Sequence, residues 1–494
     1  MASLKKALTG SFLLSFESVL RKLVGLVSTL ILARMLVPED FGIIAIALMT
    51  MGLLEALKQF GGGAYILRAK TVTPGMLNTS WTIGFISSSF MAILSILLIP
   101  VATSYFEDDR LHNILLVYAS LIIVKAAGNP GKFILKKEQN YLPIVKVTII
   151  GKIISVIIAI SVALTMKNYW ALIAGQYAMA LNGTIGSYFI HHHRPKLCLT
   201  GFKKQWQFSS WWLLQSIIGY CKSQADTFIV GSLFNKASLG SYHTIKYLAS
   251  FPTTYLIGPA IEPLLAQLAP IKDNKNYFNQ QYIISLIAPL CIAIPGCVFI
   301  FNFHELLTLT ILGDNWQKYS VLFAVLCINI VTILIQNHAN RVLVIHAKTK
   351  QLFYFQLVSF GLLYSYILTN DITSIYDFAI IIISFEFAFA CVFFTYVSIC
   401  YTSLKNYLLC LITSVPIIIA SIFAIIISNL ISFQAPLLIE FIITAISFGI
   451  IFLTLLIIQI YLLKGISKEW CYIWNLIVKI FNYFTEKLHL TKKL

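Results

Sequence analysis

Apolar segments long enough to cross a lipid bilayer recur roughly fourteen times along this chain of 494 residues, with connections no longer than about 17 residues. A bilayer's hydrocarbon core is about 30 Å thick, so a spanning helix needs about 20 apolar residues. The segments lie near 12–36, 42–66, 78–103, 112–133, 143–165, 168–190, 208–233, 240–269, 278–302, 317–345, 351–369, 375–400, 405–428 and 437–463. None of the connections can bury a core of its own, so whatever the chain does it does inside the membrane. Only 11% of residues are charged, against about a quarter in soluble domains, which excludes a soluble enzyme. The first segment is not a cleavable leader, because Glu17, Arg21 and Lys22 interrupt it and its apolar pattern continues to Leu36.

The net charge of +17 is distributed by side rather than concentrated in a nucleic-acid face. Lysine and arginine collect in alternate connections, with Arg68 and Lys70, Lys132, Lys136 and Lys137, Arg194 to Lys204, Lys272 and Lys275, Lys348 and Lys350, and Lys405 on one side, together with the two ends of the chain. The other side holds acids: Glu39, Asp40, Glu107, Asp108, Asp109, Glu305, Asp314, Asp371 and Asp377. By the positive-inside rule both termini are expected in the cytoplasm, which requires an even number of spans. The tail from 465 to 494 mixes Trp470, Tyr472, Trp474, Phe481 and Tyr483 with lysines and reads as a helix lying in the interface.

The turn Leu36-Val-Pro-Glu-Asp-Phe-Gly42 after the first span has a counterpart after the seventh, Leu233-Phe-Asn-Lys-Ala-Ser-Leu-Gly240. Six intervening spans give the two halves the same orientation, hence parallel repeats about an axis normal to the membrane. The expected architecture is all-α and integral to the membrane, with about fourteen transmembrane helices. It comprises a six-helix lobe over 1–195, a second over 196–401, and two peripheral helices over 402–464.

Ten cations and six acids fall inside the spans. A charge at a helix centre costs roughly 2.5–3.5 kcal/mol on insertion scales, so these residues should face a cavity or a partner. Arg34, Lys146 and Arg341 sit near span ends and can snorkel. Others gather on the helices that flank the repeated turns. Glu17 and Arg21 are four apart and Glu55 and Lys58 three apart, so each pair shares a helix face, and Arg21 and Lys58 lie at similar depth. Asp226 and Lys246, with Lys222 a turn deeper, form a second cluster nearer the turn. Structural ion pairs between helices would explain the same pattern; a hydrated cavity with positive walls, suited to an anionic ligand, is the functional reading. Pro252, Pro259, Pro263 and Pro270 should break the eighth span, and Gly61-Gly-Gly63 permits a bend in the second.

Histidines 191–193 adjoin Arg194 and read as a basic interfacial stretch, and His338 as a core histidine with a satisfied hydrogen bond. The nine cysteines are scattered without a CxxC pair, and no metal, cofactor or nucleic-acid motif is found.

The run Leu32-Ala-Arg-Met-Leu-Val-Pro-Glu-Asp-Phe-Gly42, the Phe60-Gly-Gly-Gly-Ala64 closing the second span, and Asp226-Thr-Phe-Ile-Val-Gly-Ser-Leu233 leading to Leu239-Gly-Ser-Tyr242 resemble the Wzx-type polysaccharide exporters. These form part of the multidrug/oligosaccharidyl-lipid/polysaccharide (MOP) flippase superfamily, and the similarity is to the branch with the colanic acid exporters. It covers the first eight spans well and the later ones in topology. The resemblance implies a bacterial inner-membrane flippase that carries an undecaprenyl-diphosphate-linked oligosaccharide from the cytoplasmic to the periplasmic leaflet. A polysaccharide polymerase and a chain-length regulator are implied as partners.

Arg21, Lys58, Lys222 and Lys246 would then hold the diphosphate and acidic sugars. Asp226 would pair Lys246 or join Glu17 and Glu55 in ion coupling. Lys246 stands where many relatives carry arginine, which weakens the case for a bidentate phosphate grip there. A multidrug or cation antiporter of the related family would favour carboxylates in its cavity, whereas here in-span cations outnumber acids. A membrane-embedded polymerase would have a large external loop with basic residues, which this chain lacks.

Overall fold

The computed structural model describes residues 2–57, 66, 71–200, 202, 220, 223–258, 268, 271–346, 348–430, 436–465 and 474–475. Among them there is no strand, and eight helices are long and apolar enough to cross a membrane. Lys58, Lys222, the Gly61–Gly63 run, Pro259, Pro263, Pro270 and nearly all of the tail lie outside the described residues. The chain divides into two compact units, Met1–Thr244 with Leu312–Trp316, and Ile245–Ile311 with Gln317–Leu494.

The N-terminal unit opens with α1 (Ala2–Met35), α2 (Pro38–Leu57), α3 (Pro74–Phe106) and α4 (Arg110–Ala126). It continues with α5 (Lys132–Lys137), α6 (Leu142–Met166) and α7 (Trp170–Ile190), then a helix over 223–233 and the start of α8 (Lys236–Phe251). Helix α3 begins on a proline, with Thr73 capping the amide of Met76, and ends with Glu107 in the left-handed region at φ 49°.

Its burial is inverted relative to a soluble helix. Ile86, Phe90, Ile93, Leu97 and Val101 form an exposed stripe, whereas Thr79, Thr82, Ser88 and Ser95 are buried. The exposed stripe is thus large and apolar, whereas small and hydroxyl side chains share the buried face with Leu77, Ile83 and Ile99. The α6–α7 hairpin follows the same rule. Gly151, Ser155, Ala159 and Ala163 recur every fourth residue on its buried seam, and Ser155 Oγ donates to the Gly175 carbonyl at 2.7 Å.

The fourth span stops earlier than the sequence pattern suggests. Helix α4 ends at Ala126, and the chain turns through Gly128-Asn129-Pro130 before α5. Asn129 is fully buried and donates from Nδ2 to the carbonyls of His191 and His193 at 3.1 and 2.7 Å. The proline cannot continue the helix, and the asparagine ties this turn to the extended segment after α7. The three histidines are therefore a structural strap as well as a basic stretch. Burial and neighbouring positive charge hold the His191 and His193 imidazoles below their ordinary values.

The eighth span departs from α geometry where its first proline falls, passing at Pro252 into a π-helix over Pro252–Ile257. The C-terminal unit then contains α9 (Lys275–Asn302), α10 (His304–Ile311), α11 (Ser320–Leu326) and α12 (Asn329–Ile345), the 3₁₀ turn over Asp314–Tyr319 before α11 beginning in the N-terminal unit. It ends with α13 (Thr349–Thr369), α14 (Ile375–Tyr401), α15 (Leu404–Leu430) and α16 (Leu437–Leu463). Of the two helices expected at the periphery, α15 packs directly on α9, and α16 packs mainly on α15.

His338 departs from expectation. It is 2% exposed, and among the described residues neither ring nitrogen has a hydrogen-bond partner. Its ring lies 4.4 Å from that of Tyr282, whose hydroxyl is bonded instead to Ser398 at 2.6 Å.

Candidate functional site

Two charged regions organise the N-terminal unit. The first lies where the repeated turns meet. A Cβ built on Gly42 would stand 1.9 Å from the Lys236 carbonyl oxygen, and one on Gly240 would stand 1.9 Å from the Pro38 carbonyl oxygen. Each turn's glycine therefore seats the other turn's helix start, in a reciprocal contact. No side chain fits at either glycine without moving backbone.

Charges lock this clasp from outside. Arg110 Nη2 reaches Glu39 Oε1 at 2.6 Å and Asp108 Oδ2 at 2.9 Å. Lys236 Nζ reaches the same Asp108 oxygen at 2.9 Å. Burial pushes the Asp108 carboxyl up, but hydrogen bonds from Arg110 and Lys236 outweigh it and hold the group down at about 2. Asp40 caps the first turn by accepting from the Val37 and Tyr169 amides. Trp316 is fully buried against this turn, donating Nε1–H to the Ala33 carbonyl at 2.7 Å and meeting Phe41 edge-on at 5.2 Å. Just below the clasp, buried Asp226 accepts from the Tyr242 hydroxyl and the Thr227 amide, both at 2.8 Å.

The second region is a layer deeper in the unit. At about 1.5 Å per residue from the helix ends on the clasp side, Arg21 on α1, Glu55 on α2, Lys125 on α4 and Lys152 on α6 all lie about 21–26 Å down. Glu17 accepts from Arg21 Nε at 2.8 Å along one helix face, with the arginine 44% and the glutamate 12% exposed. Lys125 Nζ pairs with Glu55 Oε1 at 2.8 Å, the side chains 44% and 35% exposed. Lys152 extends to α1, where its Nζ is 3.5 Å from a Cβ built on Gly25, one turn from Arg21. Charges this exposed at this depth are tolerable only where they meet water, because lipid would penalise each by several kcal/mol. The described members of the layer carry three cations to two acids.

The structure thus brings Glu17 and Arg21 together as the sequence reading expected and places Glu55 at their depth. Glu55 accepts from Lys125, 70 positions away on α4. Lys246 is half-buried on α8, ten residues or about 15 Å from that helix's start. Lys125, Lys152 and Tyr242 were not singled out by sequence as site residues. Counting depth from each turn, as was done for Arg21, would have found the first two. Among the described residues no group of three or more His, Cys, Asp or Glu could hold a metal.

This fold is a known one. The lipid II flippase MurJ, in its inward closed conformation, aligns over 92% of this chain and 99% of its own with a TM-score of 0.73 at 12% identity. A multidrug resistance MATE family transporter of the MOP superfamily, in its inward-facing conformation, aligns over 78% of this chain and 96% of its own with a TM-score of 0.57 at 12% identity, so the molecule shares the fold of these two proteins. The family model described as polysaccharide biosynthesis protein matches residues 31–321, and the chain belongs to that family. Two relatives are the succinoglycan biosynthesis transport protein ExoT of Rhizobium meliloti (strain 1021) and the lipopolysaccharide biosynthesis protein WzxC of Escherichia coli (strain K12). ExoT is 21% identical over 311 residues, covering 62% of this chain and 61% of its own. WzxC is 18% identical over 336 residues, covering 66% and 68%.

Proposed function

We propose that the protein is a flippase for undecaprenyl-diphosphate-linked oligosaccharide repeat units. It moves them from the cytoplasmic to the periplasmic leaflet of a bacterial inner membrane for O-antigen, capsule or exopolysaccharide synthesis. The observation that carries this reading is the layer around Arg21, with exposed charges at membrane depth and cations in excess. A diphosphate is the part of such a substrate that cannot cross lipid unaided, and a wet cationic wall replaces its hydration.

Arg21, Lys58, Lys222 and Lys246 serve as charge partners for the diphosphate and acidic sugars, with Lys58 and Lys222 assigned from sequence alone. Glu17, Glu55 and Asp226 balance those charges or take part in ion coupling. Both termini lie in the cytoplasm, which puts the clasp on the periplasmic side, in keeping with the lysine-rich alternate connections. Lobes over 1–195 and 196–401 alternate access to the layer, and the clasp opens to release cargo. A polymerase and a chain-length regulator receive the product.

Replacing Arg21 or Lys58 by Ala, in a strain whose surface polysaccharide depends on this gene, should abolish export while the protein stays in the membrane. Unimpaired export in both variants would remove the cavity assignment.

A further inference from the structure

At the end of the N-terminal unit opposite the clasp, a pocket of about 250 Å³ opens between α3 and the chain from the end of α4 into α5. Ser80, Trp81 and Ser88 form one wall; Lys125, Lys132 and Phe133 form the other. At about 30 Å³ per water it has room for several waters, or for one phosphate or diphosphate group.

The lining contains two ammonium groups, two hydroxyls and an indole, and no carboxylate. Lys125 is already neutralised by Glu55. Lys132 is not: it is half-buried and makes no ion pair among the described residues, its ammonium resting 5.6 Å from the Phe133 ring centre. The Lys136 ammonium lies 5.9 Å from the same ring and adds like charge. In the opposite wall the Trp81 indole, stacked on Phe85 at 5.1 Å, has a buried N–H with no acceptor. Buried donors and charges are ordinarily matched, and here an ammonium and an N–H both lack an acceptor among the described residues beside one small pocket.

We propose that this pocket is a second anion site, beside the layer around Arg21 and sharing Lys125 with it. It takes a phosphate or diphosphate group, with Lys132 supplying the charge and Trp81 and the two serines supplying donors. Phosphate oxygens accept several hydrogen bonds at once, which the cluster can provide. The pocket lies where a helix gives way to a lysine-rich connection, the setting in which basic pockets between spanning helices hold lipid headgroups. The group can therefore belong to an anionic phospholipid or to a diphosphate ligand arriving from the cytoplasm. Lys125 stands between pocket and layer, so an anion here competes with Glu55 for that ammonium. The inference rests on the pocket alone and stands whether or not the chain is a flippase.

The test uses full-length protein in phosphatidylcholine nanodiscs titrated with inorganic pyrophosphate by calorimetry, in the wild type and in an Arg21→Gln background that removes the layer's one arginine. Saturable binding is expected in both. Lys132→Gln should weaken it at least about tenfold, Trp81→Phe several-fold, and Lys132→Arg should retain it, with melting temperatures confirming that the variants fold. Repeating the titration in phosphatidylglycerol nanodiscs assigns the source. Loss of pyrophosphate binding there, with Lys132-dependent retention of phosphatidylglycerol in native mass spectra, identifies the headgroup; undiminished binding identifies a diphosphate ligand. Absence of saturable pyrophosphate binding together with lipid retention indifferent to Lys132, or pyrophosphate binding that Lys132→Gln leaves intact, overturns the proposal.

Discussion

Arg110 in the clasp and Arg21 in the deep layer are equally exposed, and each has a carboxylate within 3 Å. Their partners differ. Arg110 joins Glu39 at the start of α2 to Asp108 in the turn before its own helix, and Asp108 passes the link to Lys236 at the start of α8. Among the described residues Arg21 pairs with Glu17 alone, one turn away on its own helix. The clasp therefore binds separate elements together, whereas the Arg21 pair holds charge in place without tying α1 to anything. A transporter needs both arrangements: one that resists separation until it opens, and one that presents charge to a ligand while helices shift around it.

The largest effect should come from the glycines at the centre of the clasp. In Gly240→Val or Gly42→Val the new Cβ meets a backbone carbonyl rather than a yielding side chain. Overpacking of this kind costs about 1–3 kcal/mol or more, and here the upper end is expected together with loss of export. Gly84→Val is the control, since nothing lies within 4 Å of its Cβ, and helix propensity alone should change stability by less than about 1 kcal/mol. Thermal melting of the three variants decides the matter. Equal losses at Gly84 and Gly240 would deny the clasp any special role.

Next in size is Asp108→Asn, which replaces a buried acceptor of both Arg110 and Lys236 and should cost about 1–3 kcal/mol. Its pH dependence follows from the lowered carboxyl. A group held at about 2 in the folded state and near 3.9 when unfolded contributes stability in full above the unfolded value, and loses it as pH falls through the folded one. The difference in melting temperature between wild type and variant should stay constant from pH 8 to 5 and shrink between pH 4 and 2. A constant difference down to pH 2 would show that the aspartate acts through shape rather than charge.

The clasp was partly legible in the sequence because its key element is local: two short turns that match, with glycines at equivalent places. The sequence could not show that the turns touch each other, nor that Trp316, from nearly three hundred residues on, caps the first. The deep layer was legible where pairing is helical, as for Glu17 and Arg21, and not where it crosses helices. Lys125 reaches Glu55 from α4, a pairing across helices that periodicity does not show, while Lys58 lies outside the described residues. His338 failed for a different reason. A histidine in an apolar run says nothing of whether a partner waits on the next helix, and here none among the described residues bonds to it. Asp226 was placed correctly beside the second turn, but its bond to Tyr242 depends on the two helices of that hairpin facing each other.

Glu55→Gln should separate function from stability within the deep layer. Both partners are well exposed, so the lost pair should change stability by no more than about 1 kcal/mol. Lys125, released, would bind anions more readily and release them more slowly. Export should fall several-fold while melting is nearly unchanged. A large drop in melting temperature would make the pair a structural fastener like those of the clasp.

The smallest stability effect is expected at Glu17, and it tests the comparison most sharply. An exposed pair four residues apart on one helix contributes about 0.3–0.5 kcal/mol, so neither Glu17→Gln nor Arg21→Gln should shift melting measurably. Their effects on pyrophosphate affinity should be opposite. Removing the acid leaves Arg21 uncompensated and raises affinity, whereas removing the arginine lowers it. The titration should be run in a Lys132→Gln background so that the pocket at the end of α4 does not contribute. If both substitutions lower affinity together and both destabilise, Arg21 and Glu17 hold the helix rather than the ligand, and the deep layer becomes a second clasp.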